Sequence, residues 1–550
     1  MYTTLDEFVI ALEDAGELHR VSAKVSPILE ISQIADRVSK SPAAHVSDFA
    51  RQFDPHHAEL GGKAILFEDV EGSEHPVLIN AFGSYRRMEM ALGCVEGGFE
   101  VLAEKIEQLV KPQPPTGLIE KLKKIPELAK IASYAPKVVR NGICQQVVKN
   151  GDKVNLFELP FIKCWPLDGD VAAVGMDVDP QQGGPGKGQG RYITFGGVHT
   201  IHPDDAGKGE GEPRPSRNVG MYRAQLIDRN RTVMHWHIHH DGARHWRAWK
   251  EISQPMPLAI ALGGEAVLPY GATAPLPPGV SELLFCGFLN DGGIELVKCR
   301  TVDLHVPANS EIVIEGYVST ESGPIGFDSN EPQLGPGAYL EGPFGDHTGY
   351  YSLPDRYPIF TVTAVTHRQN PIYPTTIVGL PPQEDYYMGK ATERIFLPLL
   401  QTIVPDIIDY DLPMFGAFHN CAFVKIRKQY PLQARRLMHA IWGAGQMAWT
   451  KFIVVVDDDV DVHDHEQVLF HLCANCDPGR DTELVNGPLD ILDHAAPRLG
   501  AGHKMGFDAT RKIAGEEAGG HPVRDWPALI QMDPQIKDLV DSRWGEYGFD

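Results

Sequence analysis

The segment Glu341-Gly-Pro-Phe-Gly-Asp346-His-Thr-Gly-Tyr-Tyr351 sets two carboxylates five residues apart around a turn rich in glycine and proline. Gly342, Pro343 and Gly345 hold the backbone on a tight path of low entropy. Phe344, Tyr350 and Tyr351 are aromatic neighbours able to dry the surroundings and drive the two acid pKa values apart. Such a pair suits acid and base chemistry; the plainer alternative is a polar loop whose acids are solvated. A second stretch, Asn218-Val-Gly-Met-Tyr-Arg223, opens a strand. Arg223, if buried, offers a planar fork for a carboxylate, and at the surface it is an ordinary cation. Asn218 and Arg223 stand at an odd spacing, so a regular strand points them to opposite sides. A bulge at Gly220 would bring both to one site.

His235, His237 and His239 alternate and share one face of an expected strand over Thr232–His239. That face is either metal-capable or simply solvated, and one ligand is expected from it. Glu295 sits in an otherwise apolar strand, where an acid is costly unless paired with a cation or metal, or partly exposed. Asn, His and Glu donors together suit Mn²⁺ or Mg²⁺, which could anchor a phosphate. Asp457, Asp458 and Asp459 end the strand Lys451–Val456, a position where open sheets bind ligands, although three acids there also read as a solvated strand end. Cys473 and Cys476 form a lone C-A-N-C, read as buried structural thiols. No G-x-G-x-x-G or G-K-[ST] loop stands where a strand meets a helix, and no G-x-S-x-G occurs. Dinucleotide, nucleoside triphosphate and serine-hydrolase sites of the usual kind are therefore not supported.

The elements that must position these residues change in texture along the chain. Thr4-Leu-Asp-Glu7 reads as a capping box for a first helix that stops at Gly16, and Ile28–Val38 as a second. Ala64–Phe67 and Val77–Ala81 read as strands, Ser41–Gly62 as a surface insertion, and Val101–Lys137 as a helical, Lys-rich stretch. From about Cys144 short strands are expected at Tyr192–Val198, Gly220–Ile227, Thr232–His239, Leu258–Leu262, Glu282–Leu289, Ile294–Val297, Glu311–Tyr317 and Ile359–Thr366, a density that implies a β-barrel or sandwich. Gln181–Gly190 and Asp204–Glu212 read as mobile hairpin tips. Beyond Pro374, helices at Ala434–Ile441 and Gln467–Leu472 flank Lys451–Val456, giving a further α/β domain. The polar tail carries a helix near Pro534–Trp544.

With 550 residues and 43% hydrophobic residues, the chain exceeds one core. A net charge of -23 disfavours nucleic acid and anionic membrane surfaces as partners. No run approaches the length of a transmembrane segment, and the eight cysteines show no export pattern. A cytoplasmic protein with free thiols is expected.

These motifs together resemble the UbiD decarboxylases. The resemblance rests on Asn218–Arg223, Met234-His-Trp-His-Ile-His239, Glu295-Leu-Val-Lys-Cys299, Val306–Gly316 and above all Glu341–Tyr351. It extends to Arg427-Lys-Gln-Tyr430, Thr450–Val460 and Lys504–Thr510, and so spans nearly the whole chain. Within the family the motifs look most like the 4-hydroxy-3-polyprenylbenzoate decarboxylases of ubiquinone biosynthesis. Other aromatic or α,β-unsaturated acids, a menaquinone-pathway naphthoate among them, are alternatives, and a flavin-binding partner subunit without activity is another.

The resemblance implies an α+β multidomain fold. It comprises an N-terminal α/β domain over 1–140, a central split β-barrel resembling flavin reductases over 141–368, a C-terminal α/β oligomerisation domain over 369–510, and a tail over 511–550. It further implies prenylated FMN, its phosphate held through Mn²⁺ or Mg²⁺ with K⁺ or Na⁺ nearby. Asn218, His239 and Glu295 carry over as metal ligands, and Arg223, Glu341 and Asp346 as the catalytic set, Asp346 delivering the proton that replaces CO₂. Gly220, Met221, Tyr222 and Lys451 join Asn218, Arg223 and His239 in holding the cofactor. A UbiX-type prenyltransferase is implied as cofactor supplier, and a dimer or hexamer as the assembly. A polyprenylated substrate would imply a location peripheral to the inner membrane. Compact relatives lack the inserted Ile325–Leu340 beside Glu341, which reads as a lid or mouth segment.

Overall fold

The first helix, Leu5–Asp14, begins where Thr4 Oγ1 accepts the Glu7 backbone N–H at 3.3 Å, and it turns Leu5, Phe8, Val9 and Leu12 inward. The computed structural model describes residues 1–110, 129–209, 212–276, 279–326 and 334–549. The N-terminal sheet runs Leu18–Val21, Ala64–Phe67, Val77–Ile79 and Tyr373–Pro374. Its last strand arrives from beyond the central domain and pairs parallel with Val77 and Leu78, tying the two domains together. The stretch expected as a surface insertion is instead packed. Its helix Asp48–Phe53 buries Ala50 and Phe53, and Phe53 meets Tyr85 edge-on at 6.2 Å. Six residues are too few for apolar periodicity to show. Of the Lys-rich stretch, Glu100–Val110 is helical, residues 111–128 lie outside the described part, and Lys137–Val139 is a strand.

Six strands close the central ring: Ile312–Val318, Met256–Leu262, Tyr192–Thr200, Asn218–Leu226, Arg231–Met234 and Asp355–His367. Each is antiparallel to the next and the last returns to the first. The central domain is thus the expected barrel, with no free edge among these strands. All seven residues of Met256–Leu262 are buried, which is why that strand reads as a continuous apolar run. A Cβ at Gly196 would stand 2.5 Å from Ile260 Cγ2, so glycine permits the two strands to pack this closely. Ala338–Glu341 pairs with Asp355–Pro358 and delivers Glu341 to the barrel mouth.

Three local expectations are corrected. Glu282–Leu289 is a helix, capped by Ser281, whose Oγ accepts from Leu283 N at 3.3 Å. An eight-residue apolar run buried on most sides does not reveal its period. The strand expected over Thr232–His239 ends at Met234, so the histidines do not share a strand face. The Gln181–Gly190 tract is no mobile tip. Gly184 O accepts from Gln225 Nε2 at 2.8 Å and from the Tyr339 hydroxyl at 3.1 Å, and a Cβ at Gly188 would lie 1.9 Å from Leu226 O. Residues 210 and 211 of the other glycine tract, and 327–333 of the inserted segment, lie outside the described part.

The C-terminal sheet has the order Ile407–Asp411, Cys421–Ile426, Phe452–Val456, Ala501–Asp508, Thr482–Pro488, parallel at its centre and antiparallel at both edges. Helices Gln433–Ile441 and His465–Asn475 pack against it as expected. Cys473 is exposed and Cys476 half-buried rather than both buried, because they fall on the outer side and end of that second helix. The tail helix Pro534–Ser542 buries none of its side chains. No helix of the described residues is long and apolar enough to cross a membrane.

Candidate functional site

Arg223 lies between the two acids of the Glu341–Asp346 turn. Its Nε donates to Glu341 Oε1 at 2.7 Å and Nη2 to Glu341 Oε2 at 3.2 Å. Nη1 donates to Asp346 Oδ2, and Nη2 also reaches Ser352 Oγ at 3.3 Å. The guanidinium stacks over Phe344 with 4.3 Å to the ring centroid. Of its five N–H groups these contacts use four, and one on Nη1 is left over. Glu341 is fully buried and closed in: His235 Nδ1 lies 3.3 Å from its Oε2. His235 is thereby accounted for as a partner of Glu341.

The turn is held by its neighbours. Gly342 has φ +91° and donates its N–H to Gln225 Oε1 at 3.0 Å, an oxygen that also accepts from the Tyr192 hydroxyl at 3.1 Å. Gly345 donates to Asp168 Oδ1 at 2.9 Å and lies against Trp165, where a Cβ would come within 2.1 Å of Cδ1. Trp165 cannot easily move, since its indole N–H donates to Val378 O at 2.8 Å. Gly345→Ala is therefore expected to destabilise the protein by about 1–3 kcal/mol, read as a lowered thermal midpoint.

Electrostatics divide the acids. Burial alone would raise the Glu341 carboxyl, yet Arg223 and then His235 hold it down at about 2. Asp346 is likewise opposed by burial and held well below the usual carboxylate range by Arg223 and His347. His347 is pushed up to about 9 against burial, chiefly by its bond to Asp346. Burial raises Asp168 to about 7, partly offset by the N–H donors of Gly345 and Trp165. At neutral pH the set is an arginine cation between two carboxylate anions, with an imidazolium behind one of them.

The other end of the Arg223 strand carries a different chemistry. Asn218, Gly220 and Tyr222 share one face, and a Cβ at Gly220 would stand 2.4 Å from the Tyr222 ring, so this glycine admits that ring rather than forming a bulge. The register shift falls on the neighbouring strand, between Ile193 and Gly196. Asn218 is buried, its Nδ2 3.5 Å from Thr200 Oγ1, while Met221 packs against the N-terminal core and its N–H donates to Ala272 O at 3.0 Å.

Glu295 is not beside Asn218. It is exposed, at the start of a strand in a separate three-stranded sheet, where its backbone stands in register with Lys137 on the neighbouring strand. The acid at the Asn218 end is Glu282, whose Oε2 accepts the Val219 N–H at 3.0 Å. Burial raises it to about 7, and no cation pairs with it among the described residues. Glu282 escaped sequence reasoning because its helix was read as a strand; Ser281 as a cap was the available signal.

His239 is exposed on the turn after His235, with the Trp449 ring 5.6 Å away, and Trp449 also lies 5.6 Å from His419. Lys451, two residues on, pairs with Asp493 at 2.8 Å. The C-terminal domain thus brings the turn Gly445–Trp449, which ends two residues before Lys451, close to His239 across the domain boundary. His237 and His240 stack at 4.8 Å, and His240 packs on Tyr222 at 4.9 Å.

The three acids Asp457–Asp459 neither point into this site nor stand free. Asp458 meets Arg427 and Asp459 meets Arg511, while Asp457 accepts the Arg511 N–H at 2.8 Å. Among the described residues, Glu393, Asp411 and His463 are buried close enough together to hold a metal ion. Lys390 Nζ already bridges Glu393, at 2.8 Å, and Asp411, at 2.5 Å.

Comparison with known proteins finds the same three-part organisation. The domain families of 3-octaprenyl-4-hydroxybenzoate carboxy-lyase match in order: the N-terminal domain over residues 9–106, the Rift-related domain over 137–381 and the C-terminal domain over 386–509. An uncharacterized protein of Aquifex aeolicus (strain VF5) is 44% identical over 549 residues, covering 100% of this chain and 99% of its own. The fold is shared with Sedimentibacter hydroxybenzoicus vanillic acid decarboxylase in its closed form, at TM-score 0.75 and 23% identity over 100% of both chains. It is also similar to the UbiD-class enzyme HmfF from Pelotomaculum thermopropionicum in complex with FMN, at TM-score 0.68 and 25% identity over 98% of this chain and 99% of that one.

Proposed function

Because this chain belongs to the UbiD family of carboxy-lyases, we propose that it removes CO₂ from an aromatic acid, reversibly and without net oxidation, using prenylated FMN. The first substrate to test is 4-hydroxy-3-polyprenylbenzoate. The observation that carries the reading is Arg223, gripped by Glu341 through Nε and Nη2, bonded to Asp346 through Nη1 and left with one free N–H. That free donor orients the substrate carboxylate, Glu341 fixes the guanidinium plane, and Asp346 passes a proton to the carbon that loses CO₂. Phe344, stacked on the guanidinium, keeps water from the pair. Prenylated FMN, when bound, supplies the sink for the electron pair that decarboxylation releases.

A half-buried Glu282 without a cation, one residue's reach from Asn218, fits a divalent ion such as Mn²⁺. Asn218, Glu282 and His239 would hold it and, through it, the cofactor phosphate, with Lys451 and a K⁺ or Na⁺ ion adding positive charge. Glu282→Gln is expected to weaken Mn²⁺ retention by at least about 10-fold, measured by metal analysis after dialysis, whereas Glu295→Gln should leave it unchanged. The reverse result would restore Glu295 as the ligand.

Exposed apolar side chains along the tail, Ile530 at 98% and Phe549 at 70% exposure, support assembly as a homo-oligomer, a dimer or hexamer. The functional test is co-production with a UbiX-type prenyltransferase, followed by CO₂ release and H/D exchange across hydroxybenzoates, polyprenylated benzoates, naphthoates and cinnamates. Flavin bound without turnover or exchange on any of these acids would sink the reading.

A further inference from the structure

His347 joins the acid that the proposed reaction needs to a separate cleft. Its Nδ1 lies 3.2 Å from Asp346 Oδ1, and that oxygen also accepts the His347 backbone N–H at 2.9 Å. Arg223 holds the other oxygen, Oδ2. The far nitrogen of the ring, Nε2, is buried and has no hydrogen-bond partner. His347 lines a cleft together with Asp385, Tyr386, Lys390, Met414 and Phe418, and the Phe418 ring stands edge-on to it at 5.4 Å. An imidazole that lines a cleft, with one nitrogen beside a reactive carboxylate and the other buried and unpaired, can take a proton at one end and release it at the other.

We propose that His347 is a proton relay, taking protons from water in the cleft at Nε2 and passing them from Nδ1 to Asp346. The proposal rests on the decarboxylase reading above. Decarboxylation consumes one proton for each CO₂ released, and Asp346, paired with Arg223 and His347, rests as an anion with none to give. In each turnover the bond between ring carbon and carboxylate breaks, its electron pair stays on the ring side, and a new C–H bond takes its proton from Asp346. Asp346 takes the Nδ1 proton, leaving the ring neutral with its proton on Nε2; tautomer exchange returns that proton to Nδ1, and a solvent proton then recharges Nε2. The balance is R–CO₂⁻ + H⁺ → R–H + CO₂, with nothing oxidised or reduced.

The surroundings favour a charged ring. Asp346, Asp490 and Asp385 raise it, in that order, against burial, to about 9. The cations facing it are Lys390 across the cleft and Arg223 behind Asp346, and the neighbouring His419 is held below its ordinary value, first by burial. The relay therefore operates below about pH 9 and fails as pH rises through that value.

His347→Asn is the informative substitution, because the amide nitrogen of asparagine can still donate to Asp346 but cannot ferry a proton. In the cofactor-loaded enzyme its kcat should fall about 10²-fold, with KM within about twofold of wild type and the alkaline limb of the rate profile near pH 9 abolished. A second readout needs neither cofactor nor substrate. Comparing imidazole NMR spectra of wild type and His347→Asn, both free of flavin, isolates this ring among 23 histidines. It should remain charged through neutral pH and titrate lower in Asp346→Asn. A ring neutral at pH 7, or wild-type kcat in His347→Asn, overturns the relay; the second result leaves the decarboxylase standing. Wild type that turns over no acid sinks the decarboxylase, and the relay with it, even where the ring is charged.

Discussion

Asp346→Asn is expected to lower both decarboxylation and solvent-deuterium exchange into product by about 10²- to 10⁴-fold, while flavin remains bound. The asparagine oxygen can still accept from Arg223, so the guanidinium keeps its place and the substrate carboxylate its partner. What is lost is the group that the proposed reaction uses to carry a proton to carbon. Glu341 cannot take over, because it is fully enclosed, bonded twice by Arg223 and once by His235, and held at about 2. Glu341→Gln should act differently. It loosens the guanidinium, so KM and kcat change together, and exchange is weakened rather than abolished. Full exchange in Asp346→Asn, measured by mass spectrometry of product formed in D₂O, would remove Asp346 from the proton path.

What the amino-acid pattern revealed, and what it hid, follows from how local each signal is. The Glu341–Asp346 turn was legible because glycines, a proline and two acids in eleven residues leave few folds open, and the structure closes it on Arg223 as the motif implies. The barrel was legible from its density of short strands. Glu282–Leu289 was not, since an apolar run buried on most sides has no visible period. The metal acid was expected at Glu295, which the structure leaves exposed in another sheet, whereas the acid at the Asn218 end is Glu282, at the start of that helix. The histidine pattern failed for a related reason: alternation has meaning only while the strand continues, and this one ends at Met234. His235 then turns to Glu341, a contact between residues 106 positions apart that local spacing cannot express. His347 was in plain view beside Asp346, but its unsatisfied Nε2 depends on helix Glu384–Ile395 and the Met414 turn, which supply the cleft.

The same helix carries the largest stability effect expected in the molecule. Lys390→Met should destabilise the fold by about 3–5 kcal/mol, seen as a lower thermal midpoint by calorimetry. Lys390 is 2% exposed, and its ammonium meets both Glu393 oxygens and Asp411 while lying over the Phe53 ring at 4.5 Å. Methionine fills the space but leaves two buried carboxylates facing each other. His463, 3.2 Å from Asp411 and 3.4 Å from Asp409, adds a pH term. Burial opposes its charge, but the two aspartates push it up to about 9 from an ordinary 6.5. A group raised on folding stabilises fully below its unfolded value, so this contribution is complete below about pH 6.5 and is lost as pH rises through 9. Asp411 works in the other direction. Burial is outweighed by Lys390 and the two histidines, its carboxyl is held far below 3.8, and its contribution is lost only in strong acid. The Lys390→Met deficit should therefore widen from pH 6 to pH 9.5, as His463, one of the two histidines on Asp411, gives up its proton. Because Phe53 belongs to the N-terminal domain and Asp411 to the C-terminal sheet, that loss should appear first as separation of these two domains, detectable as faster amide exchange in Asp48–Phe53. Unchanged exchange there, with the midpoint still lowered, would confine the role of Lys390 to the C-terminal domain.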